Sequence, residues 1–381
     1  MAKQSNFSII SIVFTFLYLI VHFIPDLGGA DVMGAQWLYA SSLDLLVLGY
    51  IFFNRAKYTE AISAIYSYKF SLLFSGLLIW AMGSYFYALN PTETLVTLAR
   101  LITTYIIFIN VSILFYKQDI QQVFNWVAYI VAFILLYDSI YIITGFSNGL
   151  EKLDEKTINE IILGLSGNHG NKNVMAASLL IKFPFVLWII LKSNSILKYF
   201  CALILTLGIV ALFIMNTRST YLGLALIFVI FLFTTLILKQ NSNSLSKLKQ
   251  VLFFFIPMVL GFLIANAILE NAIKLQGFES GYTTVFKRIG TINNEFNSPG
   301  GRPHLWEGAF DYAKKHPFIG AGYGNWKLAS IPYEKEFTND LFVPYHSHND
   351  FLEMFADLGI IGGLCFAFMF LLFPIFAITV W

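Results

Sequence analysis

The sequence predicts an all-α fold, a polytopic bundle of transmembrane helices with one large water-facing segment. Of its 381 residues, 57% are hydrophobic and only 12% are charged, whereas soluble domains usually carry about 25% charged residues. A mean hydropathy of +0.70 and 39 Phe residues are typical of a protein solvated by lipid. Apolar runs recur along the chain at the length of about 20 residues that a bilayer requires. The segment Glu270–His348 interrupts them.

About ten apolar runs are long enough to form spanning helices. They lie near residues 7–24, 35–53, 70–89, 98–116, 122–144, 174–191, 198–215, 219–238, 251–269 and 351–380. The first run has no small-residue cleavage site after it, so it predicts a transmembrane helix rather than a removed signal peptide. The last run reaches Trp381 without a polar tail, so we expect further helices in the full protein.

Polar or turn-rich stretches separate the runs and suggest three regions. The breaks are Pro25–Gly29, Asn90–Pro91, Lys117–Asp119 and Lys239–Lys249, and no internal repeat is visible. We therefore predict a transmembrane bundle over 1–269, an extracytoplasmic loop with short helices over 270–348, and a last visible helix over 349–381.

The charges of the short loops predict the orientation. Cytoplasmic loops keep Lys and Arg, and with the N-terminus inside, the inner loops carry most of the loop lysines but few acids. Nine spans then place Glu270–His348 outside the cell or in the periplasm. A net charge of +2 without a basic run argues against a nucleic-acid partner. Cys201 and Cys365 lie in apolar runs, so we expect neither a disulfide nor thiol chemistry.

The loop segment has its own predicted structure. Arg302 to His316 carries apolar residues at helical spacing, and Pro317 ends that pattern. A glycine-rich turn follows at 318–326, where glycines permit positive φ and close backbone approach. Taken alone, tight turns explain such glycines as well as ligand contact does.

Two histidines stand just before the last span, in Tyr345–Asp350. Three interpretations are open for His346 and His348. They could ligate a metal, although no other ligand pattern supports this. One could be a general base, since imidazole titrates near neutral pH. They could also be interfacial residues beside a helix cap.

Several charged residues accompany this pair. Arg218, Arg100 and Arg302 lie on the predicted outer side, where arginines are either interfacial anchors or contacts for an anion. Lys182 falls inside an apolar run, which either marks a functional site or an early helix end beside Pro184. Glu353 and Asp357 share one face of the last helix and are candidates to orient the histidines or pair with an arginine.

These motifs together resemble the O-antigen ligase/polymerase family of membrane glycosyltransferases. His348-Asn349, nine residues, Gly359, two residues and Gly362 match a pattern described for the ligases. The stretches 301–306, 316–324, 167–173 and 217–219 also resemble family positions. The similarity is strongest over 160–365, and family ligases usually have about twelve spans.

The resemblance implies a bundle of the GT-C type and a lipid-linked glycan donor, typically undecaprenyl diphosphate. The acceptor hydroxyl would belong to lipid A core, another glycan repeat or a protein, and no nucleotide sugar, metal or other cofactor would be needed. His348 would be the inverting general base, assisted by His346. Arg218, Arg302, Arg100, Asn349 and Asn173 would contact the substrate.

Two other functions stay open. A lipid-linked sugar flippase or transporter would share the apolar bundle, although transporters often show repeated halves. A metal-dependent membrane hydrolase would use His346 and His348 as ligands. The sequence names neither the glycan nor the acceptor.

Overall fold

A computed structural model describes residues 8–29, 31–193, 195–238, 244–276, 284–290, 302–335 and 346–380 of the chain. Within these ranges the fold is all-α, as predicted, and no strand is present. The helices are α1 (Ile9–Ile20), α2 (Gly34–Phe53), α3 (Arg55–Ser67), α4 (Lys69–Gly83), α5 (Pro91–Phe115), α6 (Ile120–Leu150), α7 (Ile158–Gly164), α8 (Lys172–Lys192), α9 (Leu197–Met215), α10 (Arg218–Phe233), α11 (Ser244–Gln276), α12 (Val285–Gly290), α13 (Arg302–Lys315), α14 (Trp326–Ala329), α15 (Ile331–Glu334) and α16 (Asp350–Val380).

Nine stretches of the described chain are long and apolar enough to cross a membrane, and each overlaps a predicted span. They are Gly34–Phe53, Lys69–Phe86, Pro91–Phe115, Ile120–Leu150, Lys172–Lys192, Leu197–Met215, Arg218–Leu236, Leu245–Gln276 and Asp350–Leu372. The tenth prediction, over 7–24, corresponds to the shorter apolar helix Ile9–Phe23. The chain is an integral membrane protein.

Side-chain caps explain why the helices begin where they do. The Asn90 side chain accepts a hydrogen bond from the backbone N–H of Thr92, with Pro91 at the first helical position of α5. The Asp119 side chain accepts from two backbone N–H groups at the start of α6. Thr157 and Glu160 form a reciprocal capping box on α7. The predicted breaks at Asn90–Pro91 and Lys117–Asp119 are confirmed.

Three local predictions need correction. The segment after α2, predicted to be an inner loop, contains a helix, α3, whose residues Tyr58, Ala61 and Ile65 are buried. The predicted break 239–249 is shorter, because α11 already begins at Ser244. Lys182 does not mark a helix end, since α8 continues through Pro184 to Lys192.

The helices group into two compact units. Unit 1 comprises Met1–Gln36 and Lys117–Ile292. Its core is built largely by α6, α8, α9 and α11, with α9 the most enclosed helix, since Gly208 through Met215 are all buried. This continuous burial is expected for a central helix that is apolar all round.

Unit 2 comprises Trp37–Tyr116 and Asn293–Trp381. One part of its core joins α4, α5 and α16 through Phe74, Leu77, Leu98 and Leu358. A second, smaller part surrounds Trp326, between α13 and the first half of α16. The three regions expected from the sequence, 1–269, 270–348 and 349–381, stay a prediction.

Candidate functional site

The histidine motif leads into α16 in unit 2. His346 and His348 are exposed, whereas Ser347 between them is fully buried. His348 has a φ of 55°, in the left-handed region that a side chain with a Cβ rarely adopts. Such strain persists only where surrounding contacts impose it. The chain therefore turns sharply at His348 and presents its imidazole to the outside of the unit.

Glu353, one turn into α16, holds this turn in place. Its Oε1 lies 2.8 Å from His346 Nδ1. Its Oε2 accepts a hydrogen bond of 3.0 Å from the backbone N–H of Ser347 and one of 3.3 Å from the Ser347 hydroxyl. One carboxylate thus fixes both the ring of His346 and the backbone beside His348. The expectation that Glu353 orients the motif is confirmed.

The two histidines have opposite titration behaviour. The hydrogen bond to Glu353 raises the pKa of His346 above its usual value of 6.5, with the carboxylate charges adding to the effect. Partial burial of the ring, followed by the positive charges of Arg302 and His346, lowers the pKa of His348 below 6.5. Environments that separate the pKa values of neighbouring groups assign them different roles. At neutral pH His348 is a neutral imidazole and a proton acceptor.

Asn349 begins the helix. Its side-chain oxygen accepts from the backbone N–H of Leu352 at 3.3 Å, and its own N–H donates to the Ser347 hydroxyl at 3.3 Å. The interpretation of this motif as a helix cap is therefore correct for Asn349. A cap at Asn349 is compatible with a general base at His348. The sequence-based assignment of Asn349 to substrate contact stays a prediction.

The second part of the ligase pattern, Gly359 and Gly362, marks a break in α16. Gly359 has φ 66° and ψ −167°, so the helix stops at Leu358 and restarts at Ile360. A Cβ on Gly359 would lie 2.4 Å from the carbonyl oxygen of Phe318, and one on Gly362 would lie 2.3 Å from Leu358 Cβ. Neither position has room for a side chain.

The glycine-rich turn after α13 fills this break. Ala321 N–H donates to the Ala356 carbonyl and Gly322 N–H to the Asp357 carbonyl, each at 2.9 Å. Ile360 N–H donates to the Pro317 carbonyl at 2.7 Å. The backbone groups freed by the broken helix are thereby satisfied, which is a requirement for irregular backbone at membrane depth.

The same turn is also tied to the start of α5. Asn325 is fully buried, and its amide accepts from Asn90 N–H at 2.7 Å and donates to the Thr94 hydroxyl at 2.8 Å. Asp357 is 3% exposed and accepts from the backbone N–H of Gly324 at 2.6 Å and of Trp326 at 2.7 Å. These side chains fix the turn, and through it the first half of α16 that carries the histidine motif.

Asn325 was missed from the sequence. A lone Asn after glycines signals only a turn, and its distant partners Asn90 and Thr94 cannot be read from spacing. Asp357 was singled out as a possible partner of an arginine. It instead binds backbone N–H groups of the turn.

Two of the predicted arginines lie in unit 2. Arg302 is the first residue of α13 and is exposed, and its charge acts on His348. Arg100 lies on α5 with its guanidinium 6.0 Å from the centre of the Trp37 ring. Arg100 also opposes the rise that burial, Asp357 and Glu353 cause in the pKa of Tyr323. Both cations therefore act on residues of the motif or of the turn beneath it.

The other two predicted substrate contacts lie in unit 1. Arg218 is the first residue of α10, and the hydroxyl of Thr217 before it lies 3.4 Å from the Asn173 side-chain oxygen at the start of α8. Asn216 ends α9 in the left-handed conformation and accepts from the Tyr221 hydroxyl at 2.8 Å. Arg218 and Asn173 thus share one neighbourhood, as two helix starts brought together.

Within the described ranges, no group of three or more His, Cys, Asp or Glu side chains is arranged to hold a metal ion. Tyr345, which opens the motif in the sequence, lies outside the described residues, as do most residues between α12 and α13.

Comparison with protein families gives a match over the second half of the chain. Residues 200–367 match a family model described as O-antigen ligase. The matched region runs from α9 to the second half of α16 and includes Arg218, Arg302, the histidine motif and both glycines of the broken helix. No curated protein and no solved structure matches the chain. The motif, the broken helix and the membrane bundle agree with this match, which supports membership of the chain in the O-antigen ligase family.

Proposed function

We propose that the protein transfers a glycan from undecaprenyl diphosphate to an acceptor hydroxyl, with His348 as the general base. The observation that carries the proposal is the exposed imidazole of His348, whose neighbouring backbone the Glu353 network holds at the start of α16 and whose pKa is lowered, inside the region that matches the family. A base must be unprotonated at working pH and reachable by the proton it takes. His348 meets both conditions.

The proposed reaction is a single displacement. The acceptor oxygen attacks C1 of the donor sugar while its proton passes to the free ring nitrogen of His348. The bond between C1 and the phosphate oxygen breaks, and its electron pair leaves on undecaprenyl diphosphate. Attack opposite the leaving group inverts the anomeric carbon. His348 then releases the proton to solvent, which restores the base.

Positive charge is needed beside the diphosphate, which gains negative charge as its bond to C1 breaks. Preorganised cations at such a position are usually a large part of catalysis. Arg302 is exposed at the first turn of α13 and acts on His348, so we assign it to the diphosphate, with Arg100 as a further contact in unit 2. Arg218 and Asn173 of unit 1 remain donor contacts proposed from the sequence.

We assign His346 a supporting role. Its ring is tied to Glu353, which favours its protonated form. A protonated neighbour keeps His348 neutral by charge repulsion and adds positive charge at the site. It does not compete for the acceptor proton.

The proposed location is the bacterial cytoplasmic membrane, with the N-terminus in the cytoplasm and the segment 270–348 outside. The support is the excess of Lys and Arg in the loops assigned to the inside. Membrane lipid and the polyprenyl chain of the donor would cover the apolar surface, which includes exposed residues such as Leu45, Ile79, Phe133 and Leu226.

The test is transfer in vitro by the purified full chain, given an undecaprenyl-diphosphate-linked glycan and the matching acceptor. The native protein should form product without a nucleotide sugar and in the presence of a chelator. His348→Ala should reduce transfer by about 10²–10⁴-fold. The matched control is His316→Ala, since His316 is also exposed and follows α13. Near-native transfer by His348→Ala would refute the base assignment.

Donor binding by the native protein without any product would favour the flippase alternative. Activity lost on chelation would favour a metal-dependent hydrolase instead.

We place the activity in ligation rather than polymerisation, in accord with the description of the matched family model. A deletion strain tests this choice. Ligation predicts that polymer attachment to lipid A core is lost and lipid-linked polymer accumulates. Single repeat units still attached to the core would show a polymerase.

A further inference from the structure

Unit 1 contains a buried ionic cluster that the proposed reaction does not use. Asp138 of α6 is 2% exposed and its Oδ2 accepts from Lys182 Nζ of α8 at 2.7 Å. Its Oδ1 lies 2.7 Å from His22 Nε2, in the short helical turn after α1. Lys182 also donates to the Ser178 hydroxyl at 2.6 Å. Ionisable groups inside a transmembrane bundle are costly and usually functional.

A cavity of about 180 Å³ lies over this cluster. Its lining residues include four with aromatic rings, His22, Tyr137, Tyr141 and His169, and the polar residues Asp138 and Asn168. Two hydrogen bonds fix Asn168. Its side-chain amide donates to the His22 backbone carbonyl at 3.3 Å, and its backbone carbonyl accepts from the Gln36 side chain at 2.9 Å. The cavity is therefore preformed, with aromatic lining residues and fixed polar groups.

The charged groups of the cluster beside the cavity are paired. Lys182 neutralises Asp138, so the carboxylate offers hydrogen bonds without a net attraction for a cation. Burial of the ring lowers the pKa of His169 to about 4, with electrostatic contributions from His22 and Lys182 in the same direction, so this ring adds no positive charge at neutral pH. An anion such as phosphate would meet the Asp138 carboxylate in the wall. A neutral, hydroxyl-bearing ligand fits these charges best.

We infer that this cavity binds one neutral sugar ring of the glycan or of its acceptor. Aromatic rings match the C–H faces of a pyranose, while a carboxylate, an amide and imidazoles match its hydroxyls. The volume lies below the roughly 300–1,000 Å³ of pockets for larger ligands, so it limits the occupant to about one ring. The choice of a sugar over other neutral ligands rests on the proposed glycan transfer.

The test is saturation-transfer difference NMR on the full chain in lipid nanodiscs, which avoids sugar-based detergents. The probes are free glucose, galactose, N-acetylglucosamine and rhamnose, with glucose 1-phosphate as the charged comparison. At least one neutral sugar should receive saturation from the native protein. Tyr141→Ala and His169→Ala should each reduce that signal to background. Glucose 1-phosphate should give a weaker signal than glucose.

Two control variants separate this site from the proposed catalytic one. Tyr129→Ala removes another exposed Tyr of α6 that does not line the cavity, and it should keep the signal. His348→Ala should also keep it, whatever its effect on transfer. No signal from any neutral sugar, an unchanged signal in both cavity variants, or a stronger signal from glucose 1-phosphate would each overturn the inference.

Discussion

Two regions of the molecule hold ionisable groups in contrasting ways. At the start of α16 in unit 2, Glu353 is partly buried but His346 and His348 reach the outside. In unit 1, Asp138 and Lys182 are enclosed and satisfy each other. An exposed group can exchange protons with solvent, whereas the charge of an enclosed group affects the free energy of unfolding when its partner is removed. The first arrangement is suited to chemistry and the second to a preformed cavity.

The sharpest test of this contrast is removal of the cation in unit 1. Lys182→Met leaves the Asp138 carboxylate without its cation, which should cost about 3–5 kcal/mol of unfolding free energy. The double variant with Asp138→Asn removes both charges and should recover most of that loss. Unfolding in nanodiscs measures both. Lys192→Met, at the exposed end of α8, is the control and should cost under about 1 kcal/mol. A double variant as unstable as the single one would contradict the account.

In unit 2 the corresponding change should affect activity rather than stability. Arg302→Lys keeps the charge but loses the guanidinium fork that binds phosphate oxygens in pairs. We expect transfer to fall about 10²-fold, or about 2.7 kcal/mol, with an unchanged melting temperature. Arg55→Lys, at the exposed start of α3, is the matched control. Equal activity of the Lys and Arg forms would show that paired phosphate contact is the wrong account.

The broken helix of unit 2 should tolerate change less than its regular helices do. Gly359→Ala places a Cβ against the Phe318 carbonyl at positive φ, which should cost about 1–3 kcal/mol in strain alone. Gly76→Ala is the control, because no atom lies within 4 Å of the added Cβ in α4. Thermal unfolding compares the two variants. Similar melting temperatures would mean that the break is not imposed by packing.

The smallest expected effect concerns the carboxylate that orients the histidines. Glu353→Gln keeps the shape but removes the charge beside His346, so the pKa of His346 should fall back toward 6.5. We expect transfer to drop by about tenfold, or about 1.4 kcal/mol. NMR titration of labelled His346 and the transfer assay measure the two effects. Glu307→Gln, exposed on α13, should change neither.

The contrast between the units also explains what the sequence could predict. The residues of the unit 2 motif are contiguous from His346 to Gly362, so their types and spacing predicted the helix start, the orienting carboxylate and the candidate base. The spans were predictable because each is apolar over the full bilayer thickness. α3 was missed because it is short and its composition resembles a polar loop.

The cavity of unit 1 was not predictable. Lys182 was notable as a cation in an apolar run, but its partner Asp138 lies 44 residues away in the chain, and His22, which also binds Asp138, lies 160 residues away. Only tertiary packing brings them together. For the same reason the role of Asn325, whose partners lie at the start of α5, emerged only from the structure.

The dependence of kcat/KM for glycan transfer on pH tests the central claim most directly. The pKa of His348 lies below 6.5, so its neutral form is complete above that pKa and is lost as pH falls through it. The account predicts a plateau near neutral pH and an acid limb with its midpoint below 6.5. The residual transfer of His348→Ala should lack this limb. An acid limb with a midpoint above 6.5, or the same limb in His348→Ala, would contradict the claim that neutral His348 takes the acceptor proton.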